Sequence, residues 1–311
     1  MQYGQIEGLT QPVSRLVLGT MVCQTNTMDL TRQLLDAWLS VGGNCIDSAR
    51  VYGSSEEALG QYFKERGNRE QFLVLTKGAH QDSSGPRVNP QAIEQDLATS
   101  LEKLQTDYVD IYLLHRDDPN VPVGPLVECL NALKEAGRIR IFGGSNWTTA
   151  RIQEANDYAA AHGLQGFSVN SPHLSLAHIN EPMWSGCLAL DEEGKRWHQE
   201  HQFPLFPWSA QASGFFTGRY TPENRENADI VRVYYNEGNW ERLRRARALA
   251  EKKGCTANNI ALAYVLNQPF PVFALFGPRA IEEFYASLPA LEVTLTPAEM
   301  RWLNLETDTL P

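Results

Sequence analysis

The sequence has no closely spaced cysteine pair. Its five cysteines, Cys23, Cys45, Cys129, Cys187 and Cys255, are odd in number and widely spread. That argues against a disulfide framework or a structural zinc site and for a reducing compartment. No apolar run approaches the roughly 18 residues needed to span a bilayer. Met1 to Thr20 shows no basic stretch followed by an apolar core, so no secretory signal is read and a cytoplasmic location is expected. Positive charge is short: 27 Lys and Arg stand against 37 Asp and Glu, a net charge of −10. This balance disfavours nucleic acid or an anionic membrane as partner, though a few placed cations can still bind an anionic cofactor. No G-x-G-x-x-G follows the first apolar run, which lowers the case for a Rossmann dinucleotide site. His198-Gln-Glu-His201 lacks the H-E-x-x-H spacing and reads as a solvated helix face, and no metal site is expected.

Eight short apolar runs alternate with helical patterns from end to end, with no linker between them. The runs are Leu16–Gly19, Cys45–Ala49, Phe72–Lys77, Val109–His115, Ile139–Ser145, Phe167–Asn170, Leu205–Ser209 and Val272–Gly277. Ile111-Tyr112-Leu113-Leu114 is apolar at consecutive positions, as in a strand buried on both faces. Between the runs, Ser54 and Glu57 read as a capping box, and so do Thr296 and Glu299. Asn89-Pro90 opens a helix with Ile93, Leu97, Leu101 and Leu104 on one face, and Gly254 stops a basic helix from Trp240 to Lys253. Eight strands alternating with helices over 311 residues favour an α/β fold of the (β/α)8 TIM-barrel type, one domain over residues 1–311. An open doubly wound sheet is the alternative on periodicity.

In a barrel the C-terminal strand ends surround the active site. Asp47 ends the second strand with Tyr52 in the following loop, Lys77 ends the third, and His115 ends the fourth. Together these form a proton-transfer set. Tyrosine has a pKa near 10, and a neighbouring ammonium lowers it; a shift of two units needs about 3 kcal/mol, within reach of a close ion pair in a partly dry site. Asp47 would hold Lys77 charged, His115 would hydrogen-bond a substrate oxygen, and Tyr52 would pass it a proton. Taken singly, such a Lys is usually ion-paired and such a His usually a core residue.

The stretch from Asp47 through Tyr52 to Gly53-Ser-Ser-Glu-Glu57 resembles the signature of the aldo-keto reductases, and the resemblance runs from about Leu16 to about Thr307. It implies reversible, NAD(P)H-dependent reduction of an aldehyde or ketone, with Asp47, Tyr52, Lys77 and His115 as the catalytic four. It also implies a cofactor site. Thr20 and Met21 follow the opening strand. Ser145 and Asn146, in Gly143-Gly-Ser-Asn-Trp147, would bind the carboxamide, with Asn170 and Ser171 where the family usually has Asn-Gln. Trp208 would stack on the nicotinamide, with Ser209 and Gln211 beyond it. Gly277-Pro-Arg279 resembles the phosphate-binding turn; Arg279 favours NADP over NAD, while Glu283 would repel a 2′-phosphate. Ala286-Ser287 stand where the family's adenine contacts lie.

Tyr52, His115 and Trp147 are expected to touch substrate, and Trp184, Tyr234 and Tyr235 lie in expected mouth loops. The chain ends at Pro311 soon after its last helix, which suggests an open site and a polar substrate such as a sugar. Two other functions compete. A cofactor-sensing regulatory subunit, as the potassium-channel beta subunits are, would bind NADPH but turn over slowly; this chain shows no N-terminal extension and keeps all four catalytic residues. A metal-dependent barrel hydrolase would need a clustered His/Asp set at the strand ends. Physiological substrate, direction and oligomeric state are not legible here.

Overall fold

The protein is seen in a computed structural model whose described residues run from 1 to 309; Pro311, on which the expectation of an open site rested, lies outside them. A short antiparallel hairpin, β1 (Tyr3–Gly4) and β2 (Val13–Ser14), precedes the main sheet. That sheet holds β3 (Leu16–Gly19), β4 (Cys45–Asp47), β5 (Leu73–Gly78), β6 (Val109–Leu114), β7 (Ile139–Ser145), β8 (Val169–Ser171) and β9 (Ala274–Phe276), all parallel, in the order β8-β7-β6-β5-β4-β3-β9. Leu205 closes the ring, bridging Asn170 on one side and Val272 on the other. The fold is a (β/α)8 barrel. The seventh expected run, Leu205–Ser209, makes bridges rather than a regular strand. Pro207 within this stretch, Pro204 just before it and Pro271 opposite have no N–H to give to a ladder.

Helices α1 (Met28–Ser40), α2 (Ser55–Arg66), α3 (Pro90–Leu104), α4 (Val123–Glu135) and α5 (Thr149–His162) link successive strands, and α6 (Glu192–His201) follows β8. Then come α7 (Ala228–Tyr234), α8 (Glu237–Lys253), α9 (Ala257–Leu266), α10 (Ile281–Ser287) and α11 (Pro297–Leu303). The expected signals at Asn89, Gly254 and Thr296 hold: Asn89 accepts from Ala92 N at 2.9 Å, Gly254 takes φ 66°, and Thr296 and Glu299 form a capping box. Ser54 does not form its box. Its hydroxyl lies among Gln24 Oε1, Thr25 N and Thr25 Oγ1, all at 3.0 Å, which draw it away from the helix end. Among the described residues no helix is long and apolar enough to cross a membrane.

Two apolar layers explain the uninterrupted strand patterns. Val17, Cys45, Leu75, Ile111, Leu113, Ile141, Val169 and Phe273 fill the barrel, with Ile6 and Val13 from the hairpin region. Leu18, Ile46, Val74, Tyr112, Leu114 and Phe142, one residue out of step, pack under the helices. Alternation along each strand therefore assigns inside and outside. Gly143 faces a close strand approach: a Cβ there would lie 2.0 Å from Val169 O.

Candidate active site

That alternation sets the candidate site. Asp47 continues the inward series of Cys45, Lys77 that of Leu73 and Leu75, His115 that of Ile111 and Leu113, Ser145 that of Ile141, and Ser171 that of Val169. All five stand at C-terminal strand ends, so the barrel itself gathers them at one mouth. Tyr52 reaches it from the loop after β4. Its backbone N donates to Ala49 O at 2.9 Å, and its carbonyl accepts from Ser55 N and Gln24 Nε2, both at 3.0 Å. Gln24, unremarked in the sequence, thus staples this loop to the one after β3; a lone Gln in a loop carries no motif that would flag it.

Lys77 is 2% exposed and ion-paired to Asp47, and its Nζ also donates to Ser48 O at 2.9 Å. Burial opposes the ammonium charge, but the Asp47 carboxylate and Tyr52 outweigh it and hold Lys77 above its usual range. Lys77 Nζ lies 5.2 Å from the Tyr52 ring centroid, and its charge bears on the phenol. The Tyr52–His115 ring centroids are 5.9 Å apart, edge to face. The four expected catalytic residues are therefore brought together. The sign of the tyrosine shift differs from expectation. Burial raises the Tyr52 phenol above its ordinary value, and Lys77 offsets only part of that rise. His115 is driven well below the ordinary histidine range by burial and by the charges of Lys77 and Arg116. It is a neutral imidazole, and its buried Nδ1 has no partner. The chemistry this permits is specific: a protonated phenol and a neutral imidazole N–H at one mouth, with a cation beside the phenol.

The other expected residues fall into two groups. Ser145 Oγ donates to Ser171 O at 2.9 Å, and Asn146 Nδ2 lies 3.3 Å from His115 O and 3.2 Å from Ser145 Oγ. Ser171 Oγ and Trp208 Nε1 are buried without partners. Ser209 stands at φ 52° next to Trp208, and Gln211 Nε2 donates to Ser287 Oγ at 3.0 Å. Thr20 Oγ1 donates to Asp47 O at 2.9 Å, and Met21 is exposed. Gly277 has open space where a Cβ would stand, and Arg279 is exposed with its backbone N donating to Glu283 Oε2 at 2.9 Å. Glu283 also pairs with Arg219 at 3.2 Å.

Three expectations are corrected. Asn170 points outward, its Nδ2 3.3 Å from His198 Nε2 on α6, because its neighbours Val169 and Ser171 take the inward positions. Trp147 is core: it packs on Phe167 at 5.0 Å and donates from Nε1 to Arg116 O at 3.0 Å, so it does not line the mouth. His198 is fully buried rather than solvated, bonded through Nδ1 to Phe203 O at 2.8 Å; only His201 of that pair faces solvent. Of the other aromatics, Trp184 is exposed 6.0 Å from Trp208, whereas Tyr234 is buried beside His173.

Among known proteins, the aldo/keto reductase family model matches residues 15–304 of this chain. Norsolorinic acid reductase B of Dothistroma septosporum is 28% identical over 281 residues, covering 86% of this chain and 69% of that protein. An aryl-alcohol dehydrogenase [NADP(+)] of Phanerodontia chrysosporium is 28% identical over 90% of this chain and 75% of its own length. The uncharacterized oxidoreductase YrpG of Bacillus subtilis is 26% identical over 98% and 95%. The family match begins just before β3 and ends just after α11, taking in every strand that carries a mouth residue, and the chain belongs to the aldo/keto reductase family of oxidoreductases.

Proposed function

We propose that this protein reduces the carbonyl of a small aldehyde or ketone with NADPH, and oxidises the alcohol in reverse, with Tyr52 as proton donor and acceptor. The observation that carries this reading is the buried Asp47–Lys77 pair set against the Tyr52 phenol, with neutral His115 alongside. The residues fit a nicotinamide dinucleotide: Ser171 Oγ and Trp208 Nε1 are orphaned polar atoms at the mouth, and Gly277 leaves room for a close approach. Ser145, Asn146, Ser171 and Trp208 would hold the nicotinamide, and Gly277, Arg279, Gln211 and Ser287 the phosphates and adenosine. Arg279 suits a 2′-phosphate, and Glu283 opposes it less than its charge suggests, because Arg219 pairs with it. A relative's printed name includes NADP(+). When bound, the reduced nicotinamide supplies hydride.

His115 donates a hydrogen bond to the substrate oxygen and fixes the carbonyl. The raised Tyr52 pKa keeps the hydroxyl protonated at neutral pH, so it can deliver a proton as negative charge builds on that oxygen. Lys77 then stabilises the phenolate, and Asp47 holds Lys77 in place. The substrate is a small molecule and the setting cytoplasmic. The test has two parts: fluorescence titration with NADPH and NADH, then steady-state NADPH oxidation over a panel of aldehydes, ketones and sugars. Tyr52→Phe should keep cofactor affinity while reduction falls at least about 100-fold, the scale of general-acid catalysis. Tight NADPH binding with no turnover on any member would return the regulatory-subunit reading, and near wild-type turnover in Tyr52→Phe would sink the assignment of the acid.

A further inference from the structure

Arg116 directly follows His115 at the end of β6. It is 7% exposed, its Nη1 donates to His115 O at 2.8 Å, and its Nε has no partner. Among the described residues no carboxylate lies within ion-pair distance of it, although its own neighbours are acidic. Asp117 is turned to Arg151 at 3.2 Å, and Asp118 Oδ1 accepts from Asn120 N at 3.0 Å. Other buried guanidiniums are answered: Arg151 by Asp117 and Arg245 by Glu241. Arg242 has no carboxylate either, but it turns to His178 and the Asn304 carbonyl, not to the mouth. Arg116 by contrast acts on the mouth, its charge bearing on Tyr52, His80 and His115.

A buried charge without a counter-charge is costly, and a site that keeps one gains when an anion arrives to answer it. The surroundings say what that anion is attached to. His80, its ring 4.8 Å from that of His115, and Gly186 pack close by; a Cβ on Gly186 would stand 3.3 Å from Arg116 Nε. Met21, Val51 and Trp184, exposed apolar side chains, lie on the loops after β3, β4 and β8 at the same end of the barrel. A buried cation and exposed apolar side chains at the same end of the barrel suit a molecule with an apolar body and one negative group, and the planar guanidinium fork matches a carboxylate.

We propose that Arg116 is a specificity-determining residue that holds a substrate carboxylate, so that the preferred substrates are apolar aldehydes or ketones bearing a carboxylate, with the apolar body against Met21, Val51 and Trp184. This deepens the carbonyl-reductase reading and rests on it. The test compares 4-carboxybenzaldehyde with its methyl ester, by kcat/KM with NADPH, in wild type, Arg116→Met and Arg116→Lys. Wild type should favour the acid at least about 10-fold, a difference of about 1.4 kcal/mol. Arg116→Met should lose that preference, mainly through KM, and Arg116→Lys should keep part of it. Because the ratio is taken within one protein, general damage to the mouth cancels. Binding is measured separately, titrating NADP-loaded enzyme with 4-(hydroxymethyl)benzoate and its methyl ester. No acid preference in wild type, or a preference unchanged in Arg116→Met, overturns the proposal while turnover of the ester leaves the reductase reading standing. No turnover of either aldehyde, with an acid preference in binding that Arg116→Met abolishes, overturns the reductase reading and supports the carboxylate site.

Discussion

Replacing Lys77 with Met removes a positive charge beside Tyr52 while roughly keeping side-chain length. With Nζ 5.2 Å from the ring centroid, Coulomb's law at an effective dielectric of about 20 gives about 3 kcal/mol between ammonium and phenolate. That equals about two pKa units, so at a fixed pH below the phenol pKa the phenolate fraction falls about 100-fold. On the proposed mechanism, alcohol oxidation needs phenolate as base. Its rate in Lys77→Met should therefore drop by about 100-fold near pH 8 and climb about tenfold per pH unit above that. Reduction, which uses the protonated phenol, should fall less steeply with pH. The single change also strands Asp47 as a buried charge, at a cost of about 3–5 kcal/mol, so the variant Asp47→Asn/Lys77→Met serves as the folding control and should melt closer to wild type. The assay is NADP-dependent oxidation of a benzylic alcohol from about pH 6 to about pH 10.5, spanning the reference tyrosine value, with thermal melts of all three proteins. An oxidation profile in Lys77→Met that matches wild type in both height and shape would refute the reasoning.

Arg279→Ala should weaken NADPH by about 1.5–3 kcal/mol and leave NADH nearly untouched, measured by fluorescence titration; equal loss for both would assign Arg279 to the shared pyrophosphate. The buried His198 has its pKa lowered to about 4 by desolvation. Its stabilising contribution is complete above the unfolded-state value of about 6.5 and is lost as pH falls through the folded one. Urea unfolding at pH 7 and pH 5 should show wild type losing about 2 kcal/mol more than His198→Asn, and identical losses would place His198 in water.

The barrel and the placing of three of the four proposed catalytic residues were legible because they depend on alternation. Once Cys45, Leu75 and Leu113 are read as inward, Asp47, Lys77 and His115 follow by steps of two. Asn170 was not legible, because a shift of one residue reverses the face, and the pairing of Gly144 with Asn170 and Ser145 with Ser171 fixes which of the two looks in. Trp147 follows a strand end like a mouth residue, yet Phe167, on the run of the next strand, draws it into the core. His198 lies in a helix so polar that composition hides its one inward face. The sign of the Tyr52 shift depends on how deeply the ring is buried, which spacing does not encode. Arg116 could not be singled out either, since an arginine followed by two aspartates reads as paired until the aspartates are seen turned away.

The closure at Leu205 bears on how the chain reaches this state. From β3 to β8 each strand pairs with its neighbour in sequence, so most of the ring can be laid down by nearby segments in turn. Completing it requires β9 to find β3, joining Leu16 to Ala274, a long-range pairing of the kind that slows folding. Until then Leu16–Gly19 is one open sheet edge, and the other is Val169–Ser171 until Leu205 bridges it and the Leu205 stretch afterwards, edges with unpaired N–H and C=O groups, the geometry that recruits strands from other chains. A growing polypeptide therefore carries two sticky borders for most of its synthesis and loses both only when its last strand emerges, which makes the prolines around Leu205, poor ladder partners, a guard on one of those borders as well as an interruption of the sheet.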